Sequence, residues 1–250
     1  MTGRGALEGD AGVLRRLAAA GVESVADVLA RSEAVRDLAR RSNHVLRLGR
    51  ETIHVKRSKT RGPSKEAASI RRAAAAGVPV ATIAFEGRDP RLGSVVGTFD
   101  LAPARPFDDL LREGSLSVAA KTSVLSALAD AVAALHRARL HHRDLYLNHV
   151  YVDPETRPPT IALIDLERLG RHRGALGMRV VKDLAAIESS IPDGTISDAQ
   201  RADFLSRYLR GRGLSARSVA APLAKRISKK AARIRRHVPR TPVGPAARPA

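Results

Sequence analysis

The residues with the clearest chemical potential lie between positions 142 and 167. His142-Arg143-Asp144-Leu145-Tyr146-Leu147-Asn148-His149 is followed, after two short apolar runs, by Ile164-Asp165-Leu166-Glu167. The two aspartates stand 21 positions apart. Phosphoryl transfer from ATP asks for one carboxylate beside the attacking hydroxyl and a second that holds Mg2+ against the phosphates. A hairpin brings two such groups to neighbouring strand ends. The intervening chain suits a hairpin: 150–152 and 161–164 read as short strands, joined by the turn-rich Asp153-Pro154-Glu155-Thr156-Arg157-Pro158-Pro159.

The flanking sequence supplies the elements that would position this loop. Residues 117–139 form a long helix with Val124, Leu128, Val132 and Leu135 on one stripe. Helices return at about 180–190 and 198–210. Upstream, 11–40 reads as helix broken near Gly21, with Ser24 capping the second piece. Strands at 45–48 and 52–57 join through Gly49-Arg50, with Ile53 and Val55 alternating with His54 and Lys56. A helix over 65–76 is capped by Ser64, ended by Gly77 and blocked by Pro79. Residues 78–85 and 94–101 are strand-like. The chain thus divides near residue 100 into a small mixed part and a larger, mostly helical part.

This pattern resembles the protein-kinase fold, with Asp144 in the catalytic-loop motif and Asp165 in the metal-binding motif. The match is closer still to the lipopolysaccharide kinase family, which includes Kdo and core heptose kinases. His149 stands where ordinary kinases have a metal-site Asn, and the second aspartate lies in Ile164-Asp165-Leu166. Lys182-Asp183-Leu184-Ala185 with Ser189, and Phe204-Leu205-Ser206-Arg207-Tyr208-Leu209, fit the same family.

The resemblance implies an α+β, two-lobed fold and an ATP- and Mg2+-dependent kinase acting on a sugar hydroxyl of a lipid-linked glycan, the lipopolysaccharide core. The division it suggests is a helical extension over 1–40, a small nucleotide-binding lobe over 41–101, a helical catalytic lobe over 102–215 and a basic, partly disordered tail over 216–250. Asp144 would act on the acceptor hydroxyl. Asp165 and His149 would hold metal, with Asn148 the rival oxygen ligand one residue earlier. Lys56 would bind phosphate and pair with Glu66 in the first turn of the next helix, with Lys59 the alternative lysine. Asp183 would anchor the catalytic loop, and the hinge beside adenine would fall at 98–101. Arg168, Arg171, His172, Arg173 and Arg179 occupy the stretch that faces substrate in kinases and suit an anionic acceptor. Tyr146 and Tyr151 fit core packing better than a sugar face. The sequence departs from kinases in having no G-x-G-x-x-G. Gly49 stands alone before Lys56, and His54 takes a place often held by a small residue.

Composition narrows the field. The chain has 250 residues, 44 Lys+Arg, 25 Asp+Glu and no cysteine, which excludes disulfides, thiolate catalysis and cysteine metal sites. Hydrophobic residues at 44% support a folded core. No uninterrupted apolar run approaches the roughly 20 residues that span a bilayer, and the N-terminus lacks a secretory pattern. The expectation is an intracellular protein, peripheral at the cytoplasmic face of the inner membrane. Positions 216–250 hold ten basic residues and no acid. Leu223, Ile227 and Ile234 punctuate a basic helical stretch, and from Lys225 to Arg236 it suits an anionic membrane surface; a solvated, solubilising tail is the plain alternative. Aromatics at 3% disfavour a nucleic-acid stacking platform without excluding nucleic acid. A protein or small-molecule acceptor, or a non-catalytic basic scaffold, are the rival readings. The absence of Ala-Pro-Glu weakens the first, and the paired aspartates weaken the second.

Overall fold

The computed structural model describes residues 5–60, 62 and 64–237. Its first part opens with β1 (Leu7–Gly9), α1 (Ala11–Ala19) and α2 (Val25–Arg31). Asp10 caps α1 by accepting from Gly12 N at 2.8 Å, and Ser24 and Asp27 form a reciprocal capping box on α2. Then follow β2 (Glu33–Asp37), β3 (Arg41–Leu48), β4 (Glu51–Ser58), α3 (Lys65–Ala75), β5 (Ile83–Asp89) and β6 (Gly93–Phe99). The six strands form one antiparallel sheet in the order β1-β5-β6-β4-β3-β2. Leu17, Val25, Val28, Leu46, Ile53 and Phe85 fill the space between α1, α2 and the sheet.

Two expectations are corrected here. Residues 33–37 form a strand, so 1–40 is not a helical extension; β1 and β2 are the two edges of the small lobe's sheet. The helix stops because Ser32 is extended, and the chain then pairs with β3. The strand expected from 78 begins only at Ile83. Pro79 offers no amide to a ladder, and the segment instead crosses to the second lobe, where Leu163 N donates to Pro79 O at 2.9 Å.

The second lobe comprises β7 (Arg105–Pro106), α4 (Phe107–Arg112), α5 (Val118–Arg137), β8 (Leu140–His141), β9 (Val150–Asp153), β10 (Thr160–Leu163), β11 (Gly170–Arg171), α6 (Met178–Ser190), α7 (Asp198–Gly211) and α8 (Ala216–His237). The β9–β10 hairpin pairs Val152 with Ile161 and Val150 with Leu163, and β7 flanks it. By length and composition α5 could cross a membrane. Here it is the central helix of the lobe, with Val124, Leu128, Val132 and Leu135 wholly buried.

The basic segment is also corrected. Residues 216–237 form a helix, as the spacing of Leu223, Ile227 and Ile234 suggests, but it is docked along α6 and α7 and is not a free tail. Leu223, Ile227 and Ala231 are buried, at spacings that place them on one face, and Ile234 packs against the same core. Ile227 and Ile234 are therefore not available to enter a bilayer. Arg226 donates to Leu176 O and Arg235 to Glu188 O, which fixes α8 parallel to α6. The segment expected to be disordered, 238–250, lies outside the described residues.

Candidate active site

Each loop that bears a key aspartate is held by backbone hydrogen bonds to a buried carboxylate. Asp183, in the second turn of α6, is fully buried and accepts from His142 N at 2.6 Å and Arg143 N at 2.9 Å. His136 Nε2 lies 3.3 Å from the same carboxylate, and its Nδ1 lies 2.9 Å from the Tyr208 hydroxyl. Burial favours neutral His136, so Nε2–H donates to Asp183 and Tyr208 donates to Nδ1. Burial pushes the Asp183 pKa up, but the hydrogen bond from His136 and the backbone donors together hold it below the ordinary carboxylate value.

The second loop is tied to the small lobe. Glu66, in the first turn of α3, accepts from Leu166 N at 3.1 Å and from Lys56 Nζ at 3.1 Å, both on Oε1. Lys56 Nζ also donates to Asp165 at 2.6 Å. Asp165 adopts a left-handed backbone, φ 58°, which is uncommon for a residue with a Cβ and turns its carboxylate out of the hairpin into the cleft. Burial opposes the charge on Lys56, but Glu66 and Asp165 overcome it and raise the lysine pKa. Burial likewise acts to raise Asp165, and Lys56 outweighs it, so this carboxylate titrates below its usual value. Burial dominates at Glu66 and pushes its pKa up.

His149 sits between the two loops. Its Nδ1 is 2.7 Å from Asp144 O, so Nδ1–H donates to that carbonyl and leaves the Nε2 lone pair facing the cleft. Nε2 is 3.7 Å from Asp165 Oδ2. Asn148 is exposed and lines neither cavity of the cleft. Asp144 is paired with Arg168, whose Nη1 lies 3.0 and 2.7 Å from its two oxygens, and Lys182 Nζ is 4.0 Å away. The structure therefore brings Lys56, Glu66, Asp165 and His149 together, with Asp144 on the adjoining loop. Lys59 pairs with Asp37 and lines neither cavity of the cleft.

Mg2+ fits these residues. Oxygen atoms of Glu66, Asp165 and Glu167 lie within 4.8 Å of one another, a hard donor set. Glu66 Oε2 is buried without a hydrogen-bond partner. The free lone pair of His149, opposite Asp165, would offer such an ion a nitrogen ligand. Glu167, which the sequence reading passed over as a ligand, pairs with Arg41.

Two cavities meet at this cluster. One, of about 310 Å3, is lined on the small-lobe side by Val35, Val45, Val55 and Val96, and on the other by Tyr151, Leu163 and Ile164. Thr98, Phe99, Asp100 and Leu101, the expected hinge, form its rim, and His54 Nε2 meets Asp100 Oδ1 there at 3.1 Å. This apolar slot suits a purine ring. The other, of about 640 Å3, is polar and opens over Lys56, Asp165 and Glu167. The expected cation cluster separates into parts. Arg168 belongs to Asp144, and His172 is buried against His136 O. Arg171, Arg173 and Arg179 line a shallow surface groove with exposed Met178. Tyr151 faces the apolar slot rather than the core alone, while Tyr146 is half-buried near Asp144.

The two-lobed arrangement, with the lysine–glutamate pair above and the two aspartate loops below, is that of a kinase-like phosphotransferase fold. Residues 14–208 match the lipopolysaccharide kinase (Kdo/WaaP) family, and the chain belongs to that family. It is 31% identical over 161 residues to lipopolysaccharide core heptose(I) kinase WaaP of Pseudomonas aeruginosa, a match covering 60% of this chain and 60% of that protein. A solved structure of WaaP in complex with acyl carrier protein superposes with a TM-score of 0.72 at 26% identity, covering 91% of this chain and 98% of that one.

Proposed function

We propose that this chain transfers the γ-phosphoryl group of ATP to a sugar hydroxyl of the lipopolysaccharide inner core. The observation that carries the reading is the convergence of Lys56, Glu66 and Asp165 within hydrogen-bonding distance, beside a loop that presents Asp144. Asp144 would orient the acceptor hydroxyl and take its proton, and Arg168 would release the carboxylate when the acceptor enters. Lys56, held by Glu66, would bind nucleotide phosphate. Asp165 and His149 would hold Mg2+, with Glu167 within reach; bound there, the metal would offset charge on the phosphates.

The test is phosphate transfer from ATP to purified inner-core glycolipids. Asp144→Asn should lower kcat at least about a hundredfold, the scale of a lost general base, with ATP affinity preserved. Preserved turnover in the variant, or no transfer to any such acceptor by the wild type, refutes the assignment.

The acceptor is membrane-linked, and α8 carries exposed Lys225, Lys229, Arg233 and Arg236 on the side away from its packed stripe. Each such residue contributes about 1 kcal/mol near an anionic leaflet. We read α8 as a reversible, salt-sensitive dock to the cytoplasmic face of the inner membrane, by charge alone. A second partner is favoured by one feature. An apolar cavity of about 370 Å3, walled by Leu184, Ile187, Phe204, Leu205 and Ile227, lies beneath α8. With a relative solved in complex with acyl carrier protein, this cavity is where we place the acyl chain of such a carrier. Pull-down with acylated and unacylated carrier separates this reading from membrane docking.

A further inference from the structure

In this fold the turn between the first two strands of the small lobe's hairpin covers the nucleotide phosphates, and in ordinary kinases it is glycine-rich. Gly49, which stands alone before Lys56, lies in the β3–β4 turn, with no atom within 4 Å of where a Cβ would stand, and it lines neither cavity of the cleft. The segment that reaches the cleft is the β2–β3 hairpin, Glu33 to Leu48, with the turn at Leu38-Ala39-Arg40 closed by Leu38 N donating to Arg41 O at 2.8 Å. It contains no glycine. Each turn residue carries a Cβ, and none has a positive φ, so the backbone amides are not arranged as an anion nest.

Arginines stand there instead. The β2–β3 register shifts between Ala34 and Arg36, a bulge at Val35. In a regular strand neighbours point to opposite faces; the bulge lets Val35 line the apolar slot while Arg36 lines the polar cavity beside it. This explains why Val35, at 65% exposure, is among the most exposed large apolar residues. Arg40 lines the same polar cavity from the turn. Of the other cations that line it, Arg41 pairs with Glu167, Arg57 donates to Leu92 O, Lys56 bridges Glu66 and Asp165, and Arg168 pairs with Asp144, while Lys65 stands at the far wall in the first turn of α3. Among the described residues, Arg36 and Arg40 form no ion pair.

Building on the kinase reading above, we propose that Arg36 and Arg40 form the triphosphate-binding site of this protein, their guanidinium groups taking over the task of a glycine-rich loop's backbone amides. The planar guanidinium presents paired N–H donors that match phosphate oxygens in a way a lone ammonium does not. Val35 holds the ring and Arg36 the phosphates, so one bulge sets the distance between the two halves of the nucleotide site.

The experiment compares Mg·ATP and adenosine binding by calorimetry in the full chain for wild type, Arg36→Ala, Arg40→Ala and the double variant. Thermal melts confirm folding, and Arg36→Lys serves as a milder change. ATP affinity should fall about tenfold for each single variant and about a hundredfold for the double, as expected for charge-assisted hydrogen bonds. Arg36→Lys should recover only part of the loss, and adenosine affinity should not change. The proposal is overturned if ATP affinity is unchanged, whether or not the KM for the glycolipid acceptor rises; a raised acceptor KM would assign these arginines to the acceptor's anionic groups. A wild type that binds neither ATP nor adenosine would overturn the kinase reading itself, a separate result.

Discussion

Asp183 gives the sharpest quantitative test of how this site is held. One buried carboxylate satisfies His142 N, Arg143 N and His136 Nε2, with Oδ2 serving two of these and Oδ1 the third. A hydrogen bond to a charged group contributes about 1.5–3 kcal/mol, and an orphaned buried donor costs a comparable amount. Asp183→Ala would strand three donors, at about 5 kcal/mol or more, against a total stability of about 5–15 kcal/mol for a domain. That variant risks not folding, so Asp183→Asn is the informative one. Asparagine keeps one acceptor oxygen and turns an NH2 group toward at least one of the same N–H donors. The expected loss is about 3 kcal/mol, or roughly 6–12 °C in Tm for a chain of this size. The local consequence is release of the catalytic loop. The amides of His142 and Arg143 should lose hydrogen-exchange protection, and kcat should fall with ATP affinity little changed. If Asp183→Asn melts within 2 °C of wild type (about the shift of less than 1 kcal/mol) and both amides stay protected, the anchoring argument is wrong.

Four further outcomes follow from the geometry. Asp165→Ala should abolish Mg2+-dependent ATP binding while leaving a cooperative melt; unchanged Mg·ATP affinity by calorimetry would remove Asp165 from the metal site. Burial depresses the pKa of His141 to about 4, and burial also lowers His44, His136, His142 and His172. The folded chain therefore binds fewer protons than the unfolded one. The stability these groups give is complete above their ordinary value of 6.5 and is lost as pH falls from there towards about 4 for His141. Urea titrations across that window should show the decline, and His141→Gln should make it shallower. Truncation after Ala224 removes buried Ile227 and Ala231 and the packing of Ile234, and should destabilise by about 3–5 kcal/mol. Reversing Lys225, Lys229, Arg233 and Arg236 to Glu should instead leave Tm near wild type and abolish co-sedimentation with anionic vesicles at low salt; retained sedimentation removes α8 from membrane docking.

What could be read from the sequence depended on how local its causes were. Ser64, Gly77 and Pro79 bracket α3 within a few residues, and the apolar stripe of α5 repeats over many turns, so both elements were legible. The aspartate loops were legible because one contiguous stretch carries the motif, the hairpin and its turn. Strand β2 was not: Glu-Ala-Val-Arg-Asp is exposed along its whole length and owes its conformation to pairing with β3. The packing of α8 was written in the spacing of Leu223, Ile227, Ala231 and Ile234, but the surrounding charge drew attention to the polar face. The pairing of Arg168 with Asp144 depends on side-chain reach across 24 positions, which no local pattern encodes.

The two anchoring carboxylates show how the site tolerates departures from the ordinary kinase pattern. Glu66 reaches down from the small lobe to Leu166 N, directly after Asp165. Asp183 reaches up from α6 to His142 N and Arg143 N, directly before Asp144. Each of the two aspartates is thus placed through the backbone beside it, and its side chain pairs with Lys56 and His149 or with Arg168 and Lys182, partners that the proposed ligands would replace. A third tie, His149 to Asp144 O, and a fourth, His142 Nε2 to Ile164 O at 3.0 Å, join the two loops to one another. None of these bonds involves the phosphate-covering hairpin. The hairpin touches the aspartate loops through Arg41 and Glu167, at the base of its turn, so residues 36 and 40 can change from glycine to arginine without loosening the bonds that place the two aspartates.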